Sequence, residues 1–190
     1  MKKHALPMKS MFLFALLVFG ITACAPTPAF HNTVVNPVVA AAEISMTDHN
    51  GNTFKLSSER GRVVLVTFGF VNCPDECPLT MAHIKQALDM LGEQAQKVRV
   101  VLVSTDPVRD TPQALGNFLG AFNPSFIGIP GTPNELAKIY RDYGVEVLDG
   151  GETHSSYTYV IDSKGNLRLT FVPDTEPADI VADLKILLAE

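Results

Sequence analysis

Cys73 and Cys77 stand four positions apart in the stretch VVLVTFGFVNCPDECPLTM, residues 63–81. The stretch opens as an unbroken apolar run, Val63 to Phe70, rich in β-branched and aromatic residues, and such a run predicts a fully buried strand. A helical pattern begins just after the second cysteine. Two thiols are therefore expected where a buried strand becomes a helix, where backbone N–H groups and the helix dipole favour thiolate over thiol. If the segment is helical or nearly so, side chains at i and i+4 share a face, with Cβ atoms about 5–6 Å apart. Two sulfurs so placed can grip one soft ion or, with some movement, close into a disulfide. The C-x-x-C redox motif has two intervening residues and this pair has three, which weighs against a fast disulfide oxidoreductase.

Soft thiolate ligands select Cu(I) and Zn. A structural zinc site needs four ligands, and the third cysteine, Cys24, lies far away near the N-terminus. Two sulfurs plus one imidazole suit copper better. His154, at the close of a Gly-rich loop and just before a predicted strand, is the imidazole candidate. Its bland alternative is a loop histidine bonded to a backbone carbonyl. His83 falls six residues after Cys77, roughly on the opposite side of a helix, and reads as solvated or packing. Met81 reads as core, and Asp75 and Glu76 as solvated residues favouring the helix start. Asp106, Arg109 and Asp110 could form a polar cluster beside the cysteines or serve as a cap and a surface ion pair. His31 and His49 read as exposed, and Tyr157, Tyr159 and Asp162 as structural.

The elements that must position these residues alternate along the chain. A hairpin over 44–56 turns at Asp48-His49-Asn50-Gly51. The buried strand 63–70 leads through the cysteines to a helix over 79–91, with Gly92 beyond its end. A second buried strand spans 98–104. Thr111 then caps a helix opening on Pro112 and running to about Phe122. After a short strand over 126–129, Thr132, Pro133 and Glu135 form the start of a capped helix reaching Tyr143. A loop, 145–155, leads to strand 156–161, a turn at 162–165, strand 166–172 and a closing helix, 178–189. This order predicts an α/β protein with a central mixed sheet covered by helices on both faces. With two cysteines at the end of the first central strand, it is the thioredoxin-like order with an added N-terminal hairpin and an inserted strand and helix.

The chain has 190 residues, 46% hydrophobic and 18% charged, with a formal charge of −5. One domain with a sizeable core is expected once the N-terminus is set aside. No Lys/Arg block occurs beyond the first nine residues, which argues against nucleic acid as a partner. Residues 1–23 read as an export signal: Lys2, Lys3 and Lys9 precede an apolar run, Met11 to Ile21, too short for a bilayer span. Small residues before Cys24 resemble the bacterial lipobox, which implies cleavage before Cys24 and lipid attachment to its thiol. Residues 24–42 carry three prolines and no charge and read as a lipidated cysteine with a flexible tether. The folded domain is expected over 43–190, facing out from a bacterial membrane.

Three motifs together, FGFVNCPDECP, STDPVRDTP and HSSYTYVIDSKG, closely resemble the signatures of the Sco/SenC family of copper proteins. The match covers about Glu43 to Glu190. The resemblance implies a thioredoxin-like fold and an exported, membrane-tethered protein. It implies copper handling for the dinuclear copper centre in subunit II of cytochrome c oxidase, with another copper chaperone or a thioredoxin-like reductant as possible further partners. It puts Cys73, Cys77 and His154 on the copper ligands, and Asp106, Arg109 and Asp110 on a segment whose aspartates support the site. Asn72 departs from the residue often seen there and leaves the ligands intact. The alternative is an enzyme or sensor: a thiol-disulfide reductase for the subunit II cysteines, or a thiol peroxidase. It would use Cys73 as nucleophile and Cys77 as resolver. Neither enzymatic use needs His154.

Overall fold

The computed structural model describes residues 29–151 and 153–190. The expected signal, residues 1–23, and Cys24 lie outside the described residues. Among those described, no helix is long and apolar enough to cross a membrane. The described residues form ten strands and four α-helices: β1 Thr33–Ala40, β2 Ser45–Thr47, β3 Thr53–Lys55, β4 Val63–Gly69, α1 Glu76–Leu91, β5 Val98–Ser104, α2 Pro112–Gly120, β6 Ile127–Ile129, α3 Pro133–Tyr143, β7 Val147–Leu148, β8 Thr153–His154, β9 Thr158–Ile161, β10 Asn166–Phe171 and α4 Pro177–Leu188. Six of the strands form one sheet in the order β1-β10-β9-β4-β5-β6. β4, β5 and β6 run parallel, and β9, β10 and β1 are added antiparallel.

Alternation along the central strands separates two cores, because successive strand side chains point to opposite faces. Val63, Leu65, Val100 and Leu102 face α1, α2 and α4, meeting Met81, Ile84, Leu115 and Leu184. Val64, Val66, Phe68, Val101 and Val103 face α3 and the β2–β3 hairpin, meeting Leu136, Ile139, Ile44 and Phe54. All seven residues of β4 are buried, which is why no alternation shows in its sequence. The caps act as their residue types dictate. The Thr111 hydroxyl accepts from Ala114 N–H at 3.1 Å, and Thr132 with Glu135 forms a full capping box, closed by Gly144 in the left-handed region.

The tether expected over 24–42 is corrected in its second half. Residues 33–40 form an edge strand on β10, with a register shift between Val34 and Val39 around Asn36-Pro37. A proline cannot donate to a ladder and is tolerated at an edge or bulge, so this strand lacks the usual period. Its start is anchored by Asp183, fully buried on α4. That carboxylate accepts from the backbone N–H of His31 at 2.7 Å, and from the Asn32 backbone and side chain at 3.1 and 2.9 Å. His31 itself, read as a solvated tether residue, lies 3.0 Å from Asp179. The loop expected over 145–155 holds a two-residue ladder, Val147 with His154 and Leu148 with Thr153. His49 is half-buried rather than exposed: its Nδ1 accepts from Gly128 N–H at 2.9 Å and ties the hairpin turn to β6.

Candidate metal centre

β4 ends at Gly69 and the chain passes through Phe70 to the cysteine loop. Cys73 N–H donates to the Phe70 carbonyl at 3.3 Å, which curls the loop back over the strand end. α1 begins at Glu76, earlier than the expected Leu79, so Cys77 is already its second residue while Cys73 precedes it. The premise of a helical i, i+4 pair is therefore corrected. What joins the two is a bond of the cap: Cys77 N–H donates to Cys73 Sγ at 3.4 Å. Asp75, at the cap position, contributes no side-chain bond, so the Cys73 sulfur takes up an orphan donor of the first turn.

The two thiols meet different surroundings, and the expectation that both favour thiolate fails at Cys77. Cys73 is half-buried and Cys77 is buried. Burial pushes the Cys77 thiol well above its ordinary value, and the adjacent Cys73 side chain adds to the rise. A buried sulfur with that preference stays protonated until something offsets its charge. Gly69 makes room for it. A Cβ at residue 69 would stand 2.7 Å from Cys77 Sγ, a separation real Cβ atoms do not show.

His154 reaches the same place from the other side. β8 carries it to the start of β9, which pairs with β4. A small cavity of about 10 Å³, room for about one water, is lined by Cys77, His154, Glu76, Thr80, Ser156 and residues of β4, α1 and β5. The imidazole stands edge-on to Phe70, with ring centroids 5.9 Å apart. Its Nδ1 lies 3.2 Å from the Ser155 carbonyl. A carbonyl can only accept, so this contact puts a proton on Nδ1, and in the neutral ring Nε2 is then the nitrogen that keeps its lone pair. The bland alternative, a loop histidine on a backbone carbonyl, and the ligand reading thus coexist in one geometry. The three side chains do not form a ready-made ligand set, since among the described residues no group of three His, Cys, Asp or Glu side chains stands close enough to hold an ion.

The Asp106–Asp110 segment fixes the loop from below. Both aspartates are buried. Asp110 accepts from Val71 N–H at 3.1 Å and from the Ser104 hydroxyl at 2.6 Å, so it ties the end of β5 to the residue two before Cys73. Burial pushes the Asp110 carboxyl above the ordinary carboxylate range, against the pull of those two bonds. Asp106 pairs with Arg109, and its N–H donates to Ser104 Oγ at 3.1 Å. Tyr140 on α3 donates to the Ser104 carbonyl at 2.5 Å. Asp110 and Tyr140 therefore act on the site by holding backbone, while Arg109 holds the Asp106 carboxylate.

His83 bonds the Thr175 carbonyl at 2.9 Å and joins α1 to the approach of α4. Met81 is core and 1% exposed. Asp162 and Tyr159 are structural. The Asp162 carboxylate accepts from Lys164, Asn166 and Arg168, and Tyr159 donates to the Tyr143 carbonyl at 2.8 Å. Tyr157, expected to be structural, is exposed. Sequence reasoning missed Gly69, Phe70, Ser104 and Tyr140. Only Gly69 carried a signal, as a glycine interrupting a β-branched strand, which marks close approach.

Parallel β4-β5-β6, antiparallel β9-β10 and two cysteines where β4 meets α1 define a thiol protein of thioredoxin-like fold. The model of the SCO1/SenC family matches residues 37–189, and the chain belongs to that family. Protein SenC of Rhodobacter capsulatus is 33% identical over 185 residues, 88% of this chain and 83% of that one. Among solved structures, Bradyrhizobium japonicum ScoI with copper bound is 33% identical, with TM-score 0.72 over 79% of this chain and all of that one. The apo Sco1 protein of Thermus thermophilus is 32% identical, with TM-score 0.75 over 86% of this chain and all of that one.

Proposed function

We propose that this chain is a copper-binding Sco protein, tethered by lipid on Cys24 to the outer face of a bacterial membrane. It delivers copper to, or prepares, the dinuclear copper centre of cytochrome c oxidase subunit II. One observation carries the reading: Cys77 and His154 line one small cavity at the end of β4. Copper bound to a family member 33% identical supports it.

Cys73 and Cys77 supply the soft donors, and His154 Nε2 a borderline one. Copper is cargo here, taken up and handed on. The charge it brings is what a buried Cys77 sulfur lacks. Gly69 leaves room for the sulfur, and Asp110 holds the loop that must close over the ion. Oxidation of the pair to a disulfide would abolish the donor set, so copper occupancy and redox state are linked.

Titrating the reduced protein with copper tests this directly. One ion per chain is expected, with thiolate-to-Cu(II) charge-transfer absorption that Cys77→Ser removes. His154→Ala weakens Cu(II) more than Cu(I). Unchanged copper binding in Cys77→Ser overturns the assignment. The reductase reading is favoured by a half-buried Cys73 beside a buried Cys77, the placement of an attacking and a resolving sulfur, and it does not need His154. Full oxidase assembly in a His154→Ala strain would select it. Loss of labelled lipid in Cys24→Ala tests the anchor.

A further inference from the structure

The edge of the sheet that carries the cysteines is also where exposed apolar side chains gather. Nine large hydrophobic residues stand exposed among the described residues, and five of them lie here. Leu79 is on the first turns of α1, Val108 follows β5, Leu148 is in the ladder that carries His154, Tyr157 precedes β9 and Val172 follows β10. Val108 is 83% exposed. Parallel β4 and β5 end at this edge, antiparallel β9 starts there and β10 ends beside it, with Thr158 opposite Phe171. The topology thus rings the sulfurs with apolar surface.

Acidic side chains gather at the cysteine edge, while the opposite edge mixes both signs, with Arg62, Arg99 and Arg168 paired to Glu59, Asp162 and Glu190. Asp75, Glu76, Asp149, Asp174 and Glu176 are exposed around the cysteines, and each borders a strand or helix end at that edge. Arg109 is the only cation of the β-strand ends and loops there among the described residues, and it is paired with Asp106. Arg60, Arg62, Lys97, Arg99, Lys164 and Arg168 all flank the opposite strand ends. Of the two sulfurs, the half-buried Cys73 is the one that reaches this apolar, acidic edge.

Resting on the copper reading above, we infer that this edge is a docking surface for a protein whose own soft donors sit in an apolar patch ringed by Lys or Arg. Complementary charge steers the encounter, and Val108, Tyr157 and Leu148 supply the dry centre beside the sulfurs. A partner with an acidic rim is rejected by the same field.

Two arms test the surface. In the first, the reduced, copper-free full chain is treated with a cationic or an anionic methanethiosulfonate, and the Cys73 rates are divided by those of free cysteine. The cationic reagent is favoured about tenfold at low salt. Most of that preference is lost between about 10 and about 150 mM salt, as the Debye length falls from about 30 to about 8 Å. The triple variant Asp75→Asn, Asp149→Asn, Glu176→Gln loses it as well. In the second, copper-loaded protein transfers Cu(I) to two synthetic peptides that share one apolar Cys-x-x-Cys centre and differ only in Lys or Glu flanks. Transfer to the Lys-flanked peptide is about tenfold faster. Val108→Ser with Tyr157→Ser slows it several-fold while copper per chain is unchanged. Equal rates for the two reagents, or for the two peptides, overturn the inference. If the chain takes up no copper, the copper reading fails and the reagent arm still decides the charge of this edge.

Discussion

Replacing Gly69 by alanine adds one methyl group where the geometry leaves no place for it. The new Cβ would lie 2.7 Å from Cys77 Sγ, 3.6 Å from Cys77 Cβ and 3.4 Å from Leu102 Cδ1. The last two separations are ordinary contacts, so the clash is with the sulfur alone. A cavity of about 10 Å³ beside it cannot absorb the displacement. Overpacking of this kind costs about 1–3 kcal/mol. Alanine gains about 0.4–1 kcal/mol by restricting the unfolded chain, because the backbone at residue 69 is an ordinary strand conformation. The net effect is destabilisation by about 1–2 kcal/mol. In a Cys77→Ala background the sulfur is gone, only the ordinary contacts at 3.6 and 3.4 Å remain, and Gly69→Ala becomes stabilising by up to about 1 kcal/mol. The coupling between the two positions is then about 2 kcal/mol, well above the error of a double-mutant cycle. Urea unfolding of the four reduced proteins reads it, provided the slope m is unchanged. If Gly69→Ala has the same sign in both backgrounds, the close approach of sulfur to strand is not what makes glycine necessary.

Three further outcomes follow from the geometry. Asp183→Ala strips the acceptor from three N–H donors at the start of β1, and destabilises by about 1–3 kcal/mol. Limited proteolysis should show cleavage appearing first within residues 29–40. For Asp110, the raised carboxyl means the folded form holds its proton more tightly than the unfolded form, so stability falls as pH rises from its ordinary value of 3.8 through the raised one. That cost is absent below the ordinary value and complete above the raised one, and Asp110→Asn flattens the slope in this window of a urea-unfolding series. Iodoacetamide should alkylate Cys73 at least about tenfold faster than Cys77, read by peptide mapping, since Cys77 is buried and its thiol is held protonated. Equal labelling would remove the distinction between the two sulfurs.

The parts of this chain that were legible in its sequence are those where one interaction dominates. β4 and β5 are buried on both faces, and an unbroken apolar run leaves no other reading. α2 and α3 start at Thr-Pro because hydroxyl caps and proline at the first turn satisfy the same local need wherever they occur. The edge strand β1 was not legible, because Pro37 interrupts its ladder and its anchor, Asp183, is some 150 positions away in sequence. Two-residue strands such as β7 and β8 are too short to show a period. At the site, the cysteine pair and the Asp106–Asp110 segment could be picked out by residue type. That α1 begins before Cys77, that His154 shares a cavity with it, and that Asp110 reaches Val71 all depend on how the β4, β5 and β9 ends are brought level. Tyr140 and Ser104 gave no signal, since a tyrosine on an amphipathic helix looks the same whether or not its hydroxyl finds a carbonyl.

The anchoring of His31 and Asn32 to Asp183 shortens the leash. A free segment from Cys24 to residue 42 could extend about 60 Å at about 3.5 Å per residue. With the chain fixed at residue 31, the reach from Cys24 drops to about 25 Å. Asn32 also meets Thr175, just after β10 ends, so the chain leaves the domain on the flank where the sulfurs lie. With lipid on Cys24 as proposed, the protein would hang close to the bilayer with its cysteines turned toward it, within grasp of a membrane-embedded client and out of reach of one diffusing far from the surface.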